Sequence, residues 1–155
     1  MARNESCKLL CQTEEIPAED AQFVNQLIAD DYGINWVVDG LPAARENTDE
    51  HTGEKYYNIG FSLGYNSNDK PLLNNHYDIN IYFHDRPDGH RRVVGVVVFP
   101  ISKDTKLDKD NKPLCEKKDL AFHLKEDGKS KVTYTYSVTW LVCIYSLFSF
   151  YLFFS

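Results

Sequence analysis

The chain has 155 residues, a length that fits one domain and is long enough to bury a sizeable core. Its formal net charge is −6 and its one notable basic pair, Arg91-Arg92, merely opens an apolar run, so composition provides no footprint for nucleic acid or for an anionic lipid surface. Ten Tyr and nine Phe favour packed β-structure and argue against disorder.

The first fifteen residues carry charge and lack the apolar core of a secretory leader, which taken literally would leave the chain in the cytosol. Asn4-Glu5-Ser6, however, is a glycosylation sequon and makes Asn4 a candidate glycan acceptor. The four cysteines are Cys7, Cys11, Cys115 and Cys143. The C-x3-C spacing of Cys7 and Cys11 fits neither a zinc ribbon nor a thioredoxin-like redox motif, and no second pair completes a zinc site. The structural reading is a disulfide from Cys115 to Cys7 or to Cys11, which implies an oxidising compartment.

Residues 17–32 read as a helix. Pro17 suits its first position, and Glu19 and Asp20 complement the positive end of the dipole. Phe23, Val24, Leu27 and Ile28 form an apolar stripe for core packing, and Gly33 is placed to end the helix. The period then changes to two. Ile34 to Val38 reads as a strand, 39–42 as a turn, 56–65 as a Gly-broken strand and 66–71 as a loop. Over 76–84, Tyr77, Ile79, Ile81 and Phe83 alternate with His76, Asp78, Asn80, Tyr82 and His84, so this strand buries one face and solvates the other. Residues 85–89 turn the chain. Val93 to Phe99 is apolar on both faces and should lie central.

Residues 102–119 read as charged loop, including the Glu-Lys-Lys-Asp run at 116–119. Over 131–140, Val132, Tyr134, Tyr136, Val138 and Trp140 face a core, and Thr133, Thr135, Ser137 and Thr139 face away. These strands predict a mainly β fold, an antiparallel sandwich-like domain with one N-terminal helix. Leu141 to Ser155 has no charge, is too short to span a bilayer as a helix, and reads as foreign to the domain.

Two constellations carry chemical interest. Gly60-Phe61-Ser62-Leu63-Gly64 matches G-x-S-x-G, but a loop follows it where a hydrolase needs a helix, so two glycines easing a bent strand is the better reading. His76, Asp78 and His84 share a strand face, yet one strand offers a metal two ligands at most. A solvated polar face is the default. Neither a Walker-type loop nor G-x-G-x-x-G is present. These residues therefore assign no catalytic residue, metal, cofactor or small-molecule substrate.

An ordered series of segments resembles the lumenal region of the nonaspanins, the transmembrane nine superfamily or endomembrane protein 70 family. Cys7-Lys8-Leu9-Leu10-Cys11 is similar to the family's C-x-x-x-C segment, with a helix rich in acids and amides after it. Trp36 to Pro42 resembles its apolar strand ending in Asp, a variable residue, Leu and Pro. Gly60 to Gly64 resembles its Gly-aromatic-x-aliphatic-Gly strand, and Asn75 to Ile79 its Asn-His segment. Arg92 through Pro100 resembles an Arg-Val-Val strand ending in Pro, Cys115 falls where a family cysteine lies, and Tyr134 to Trp140 resembles the last strand before the membrane domain.

The resemblance covers residues 4–140 and implies a partial, truncated lumenal N-terminal region over 1–140. The family has a signal peptide and further lumenal sequence, including cysteines, upstream. After the last strand it has a charged stretch and nine spanning helices, in place of which 141–155 is an apolar tail, artefactual or weakly membrane-associated. Full-length members reside in Golgi and endosomal membranes, where they take part in sorting and surface localisation of other membrane proteins, with roles in adhesion and phagocytosis. The implied role is non-catalytic. The implied partners are membrane-protein cargo, through the missing membrane domain, and the membrane itself, with no nucleic acid. Readings from other classes are a free carbohydrate- or peptide-binding sandwich and a small metal-dependent enzyme using His76, Asp78 and His84.

Overall fold

The computed structural model describes residues 3–115 and 121–143. Its elements run β1 (Glu5–Gln12), α1 (Ala18–Ala29), β2 (Gly33–Ile34), β3 (Val37–Val38), β4 (Leu41–Thr48), β5 (Lys55–Ile59), β6 (Phe61–Ser62), β7 (Gly64–Ser67), β8 (Lys70–Leu73), β9 (His76–Asp85), β10 (Arg91–Ile101), β11 (Lys106–Leu107), β12 (Pro113–Leu114) and β13 (Thr133–Val142). The fold is mainly β with a single helix near the start, as the sequence leads one to expect. The Glu-Lys-Lys-Asp run and the tail from residue 144 onward lie outside the described residues. Leu141 and Val142 do not stand apart from the domain. They continue β13 and pair with Tyr82 and Phe83.

The main sheet has the order β1-β13-β9-β10-β4-β3, with β5 also paired to β4. It is mixed, where the sequence suggested antiparallel pairing throughout. β9 and β10 form an antiparallel hairpin, but β13 lies parallel to β9 and β10 lies parallel to β4. Parallel neighbours need a long crossover. Residues 102–132 supply one, carrying the chain back to the start of β9 before β13 begins. Three two-stranded ribbons, β2–β6, β7–β8 and β11–β12, stand beside this sheet.

Helix α1 starts after Pro17, and Asp31 ends it by adopting a left-handed φ of 53°, two residues before the expected Gly33. Its buried residues are Ala21, Asn25 and Ile28. Phe23, expected in the apolar stripe, is 66 % exposed. At 3.6 residues per turn it stands about 200° around the helix from Ala21. The expected strand at 34–38 is split into β2 and β3. The turn after it is tighter than expected, because Asp39 and Gly40 take φ of 52° and 77° and Leu41 already pairs with Val38. Positive φ at both central residues is the signature of a two-residue hairpin.

The buried apolar residues form two core clusters. One gathers Ala21, Ile28, Leu73, Leu124 and Val132 beneath the helix. The other packs Ala43, Phe61, Tyr77, Val96 and Val98 together, with Trp36 against it. The Trp36 ring meets Phe61 edge-on at 4.9 Å and Tyr77 at 4.6 Å, within the range of favourable aromatic pairs. Tyr134 touches both clusters and joins them.

Asn74, Asn75, His76, Thr133 and Thr135 are buried polar residues at the starts of β9 and β13. Asn75 is 1 % exposed and satisfies three backbone groups through its carboxamide. Its Nδ2 donates to the carbonyls of Lys103 (2.8 Å) and Thr133 (3.0 Å), and its Oδ1 accepts from the Lys103 N–H (2.7 Å). Asn75→Ala should therefore destabilise the protein by about 3 kcal/mol, because those groups stay buried and lose their partner. Urea unfolding followed by circular dichroism checks this. Asn66→Ala, in the exposed part of β7, serves as control and should stay within about 0.5 kcal/mol.

Candidate functional site

Strand register decides what the polar face of the sheet presents. Ser137 lies opposite Asp78 and Thr139 opposite Asn80, while Phe99 pairs with Asp78 from the other side. Across the β1 edge, Glu5 pairs with Val138, which puts Asn4 and Ser6 on the same face as Ser137 and Thr139. The result is a groove of about 540 Å³ lined by Asn4, Ser6, Asp78, Asn80, Phe99 and Thr139, among others. Sequence alternation picked out Asp78 and Asn80. It did not single out Asn4 and Ser6 as neighbours of Phe99 and Thr139, because the parallel β9–β13 pairing leaves no local signal.

The face is not solvated throughout. At its inner end His76 is 2 % exposed, and Thr133 and Thr135, expected to face away, are buried too. His76 Nδ1 lies 2.6 Å from Thr135 Oγ1, and Nε2 lies 3.1 Å from Asp78 Oδ1. A hydroxyl, an imidazole and a carboxylate in a row resemble a catalytic relay in outline only. Thr135 is fully buried, so no substrate can reach its hydroxyl. The arrangement instead fastens β13 to β9. His84, eight residues further along the same strand, is roughly 26 Å away at strand rise and shares no site with His76. Among the described residues, no group of three His, Cys, Asp or Glu is placed to hold a metal.

The G-x-S-x-G segment is likewise structural. Ser62 Oγ donates to Asp31 at 2.8 Å. Gly60 takes φ of 81°, and a Cβ there would meet the Ile34 carbonyl at 2.8 Å. A Cβ at Gly64 would collide with the Leu72 carbonyl and the Ile28 side chain. Both glycines permit close approach of backbone, as the bent-strand reading requires.

The cysteines resolve the pairing that the sequence left open. Cys7 is bonded to Cys115 across 108 residues, with Cα atoms 6.3 Å apart, inside the usual range for a bridge. Cys7 sits at a bulge of β1 with φ of 44°, and its N–H donates to Ser137 Oγ at 3.2 Å. Cys11 is exposed and takes no part in the bridge, and Cys143 is buried. Asn4, the sequon asparagine, is exposed, and its Oδ1 accepts the Trp140 N–H at 2.9 Å.

The Endomembrane protein 70 family model matches residues 1–143. The chain belongs to the Endomembrane protein 70 family. It is 34 % identical over 172 residues to Transmembrane 9 superfamily member 1 of Saccharomyces cerevisiae, covering 89 % of this chain and 25 % of that protein. It is 37 % identical over 142 residues to a Transmembrane 9 superfamily protein of Schizosaccharomyces pombe, covering 90 % and 22 %. It is 30 % identical over 165 residues to human Transmembrane 9 superfamily member 2, covering 88 % and 24 %. This chain thus spans about a quarter of the length of these relatives. No solved structure matches it. The relatives are named as transmembrane proteins, and among the described residues here no helix is long and apolar enough to cross a membrane.

Two expectations follow for this endomembrane protein 70 chain. A bridge spanning 108 residues should stabilise the fold by about 4–5 kcal/mol through loop-closure entropy. Cys7→Ser and Cys115→Ser should each slow migration on a non-reducing gel and lower the urea midpoint, whereas Cys11→Ser should change neither. A shift with Cys11→Ser would assign the bridge to the wrong cysteine.

The second concerns alkaline pH. Burial pushes the phenols of Tyr77 and Tyr134 above their ordinary value. Burial and a hydrogen bond to Glu46 push Tyr57 up to about 12. Above about pH 10 the unfolded chain releases phenolic protons that the fold retains. The unfolded state then binds fewer protons, so stability falls as pH rises, by up to ~1.4 kcal/mol per pH unit for a well-buried tyrosine. Urea midpoints between about pH 9 and about pH 11 should show this decline, and Tyr77→Phe should flatten it. An unchanged slope in that variant would mean Tyr77 is not the group responsible.

Proposed function

We propose that this chain is a lumen-facing, non-catalytic recognition or scaffold part of a membrane protein that takes part in sorting and localising other membrane proteins in the Golgi and endosomal system. The lumenal β domain in this reading runs through the end of β13 at Val142, two residues past the boundary expected from the sequence, and the apolar residues after it are an appended tail. The observation that carries it is the Cys7–Cys115 disulfide in a chain of the Endomembrane protein 70 family. Such bridges persist in oxidising compartments and are rare in the cytosol. Relatives named as transmembrane proteins support a membrane-bound context for the whole protein.

The chemistry of the domain supports recognition over catalysis. His76, the most buried titratable side chain of the polar face, is held between Thr135 and Asp78. The groove residues are amides, hydroxyls and carboxylates without a nucleophile-and-base pair that faces solvent. Membrane-protein cargo is the partner in this reading, engaged by the full-length protein.

The test is fractionation of cells that express the tagged protein. The tag on this domain should sediment with Golgi and endosomal membranes and resist added protease until detergent is present. Deletion of the gene should deplete at least one membrane protein from the cell surface. A tag found in the cytosol and open to protease without detergent overturns the reading.

A further inference from the structure

We propose that Asn4 carries an N-linked glycan whose first sugars lie in the groove over β9 and β13. The proposal rests on the lumenal reading above. Asn4-Glu5-Ser6 supplies the acceptor sequence. Asn4 and Ser6 are both exposed at the β1 edge. The Asn4 Oδ1 is tied to the Trp140 N–H at 2.9 Å, so one arm of the carboxamide is held in the plane of the sheet and Nδ2 is the arm left to carry the sugar.

The groove begins at the acceptor residue itself. Asn4 and Ser6 form part of its rim, and Asp78, Asn80, Phe99, Ser137 and Thr139 line the rest. This mixture suits a saccharide. An aromatic ring can take the apolar C–H face of a sugar, while amide, hydroxyl and carboxylate groups exchange hydrogen bonds with its hydroxyls and acetamide. The volume, about 540 Å³, falls within the range of small-ligand clefts. Asp78 is 44 % exposed at its side chain, and Nε2 of His76 engages only its Oδ1. Among the described residues no cationic side chain lines the groove, which disfavours an anionic ligand. A neutral glycan tethered at the rim needs only a weak affinity to stay there, because the covalent link keeps its effective concentration high.

The modification balances as a group transfer from a lipid-diphosphate-linked oligosaccharide. The bond from Asn4 Nδ2 to C1 of the first N-acetylhexosamine forms, and the C1–O bond to the diphosphate breaks. The lipid diphosphate leaves, and Nδ2 gives up one proton to solvent.

The experiment uses the full tagged chain isolated from its own cells. Peptide N-glycosidase should increase its gel mobility by one glycan. Ser6→Ala and Asn4→Gln should abolish that shift, and Ser6→Thr, which keeps the sequon, should retain it. Seating of the glycan is read separately. Enzymatic removal of the glycan should lower the urea midpoint of the unaltered chain, and Phe99→Ala should remove that difference, as coupled sites do in a double-mutant cycle. A Cys7–Cys115 bridge without a glycan overturns this proposal and leaves the lumenal reading intact. Absence of both bridge and glycan overturns the two together. A glycan whose removal costs Phe99→Ala as much as the unaltered chain overturns its seating in the groove.

Discussion

The fold depends on pairing the buried polar groups along Asn74-Asn75-His76, of which only the Asn74 Oδ1 lacks a protein partner. These residues enter β9 at 3 %, 1 % and 2 % exposure, so each unpaired donor or acceptor there would cost the fold on the order of 1–3 kcal/mol. Their partners come from widely separated parts of the chain. Asn74 Nδ2 donates to the Ser62 carbonyl, Asn75 engages Lys103 and Thr133, and His76 engages Thr135. Apolar burial penalises a one-residue slip of β13 along β9, which would exchange its faces, but is less strict about a slip of two. The directional bonds of Asn75 and His76 allow one register. The Asn74 Oδ1 is buried without a protein partner, and Asn25 Oδ1 beneath the helix shares that condition.

That register carries the rest of the architecture. With Thr135 opposite His76, the hydroxyls of Ser137 and Thr139 fall beside Asp78 and Asn80, and the groove forms. With β13 so placed, β1 can pair along its outer side and bring Cys7 next to Ser137. The bridge to Cys115 then ties that edge to the crossover that delivers β13. A parallel strand reached by a long crossover is entropically demanding, since the loop must be closed before the ladder forms. The disulfide closes a much longer loop, of 108 residues, and its stabilisation offsets that demand. β1 is also an edge strand. Its two bulges and the left-handed Cys7 interrupt the regular ladder that another chain would need in order to add a strand.

The strands legible in the sequence are those in which a two-residue period coincides with one buried face. β9 shows that alternation and β10 the doubly apolar run of a central strand, while β13 alternates in sequence but buries Thr133 and Thr135 where Tyr134 and Tyr136 were expected; the structure places the ends of each within two or three residues of expectation. β4 was not legible. Its Pro-Ala-Ala-Arg-Glu-Asn core has low strand propensity, and Ala43 and Ala44 are fully buried because β10 packs beside them, a tertiary reason with no local trace. β1 was hidden for a related cause, since its bulges break the alternation that would announce it. Phe23 shows the converse error, in which apolar character alone was taken for burial. The helix buries Asn25 instead, whose Nδ2 donates to the Leu124 carbonyl and to Glu126. The candidate site was half legible. The sequon and the cysteine set stood in the sequence, but the choice of Cys7 over Cys11, and the meeting of Asn4 with Phe99, follow from which strands are neighbours.

The same polar residues bear on what the domain can do. Catalysis by a threonine or an imidazole needs a group that is both activated and reachable, and the two requirements are separated here. Thr135 and His76 are activated in the sense that each has a close partner, but both lie below the surface at the closed end of the face. The groups that reach solvent at the open end include Asn4, Ser6, Asn80 and Thr139, which exchange hydrogen bonds without transferring charge, and the half-exposed Asp78 carboxylate. A face divided in this way is rigid at one end and adaptable at the other. Rigidity comes from buried, directional bonds that cannot rearrange without loss, and adaptability from side chains whose bonds to water can be traded for bonds to a ligand at little net cost. That division suits a surface that holds a hydroxyl-rich group in place.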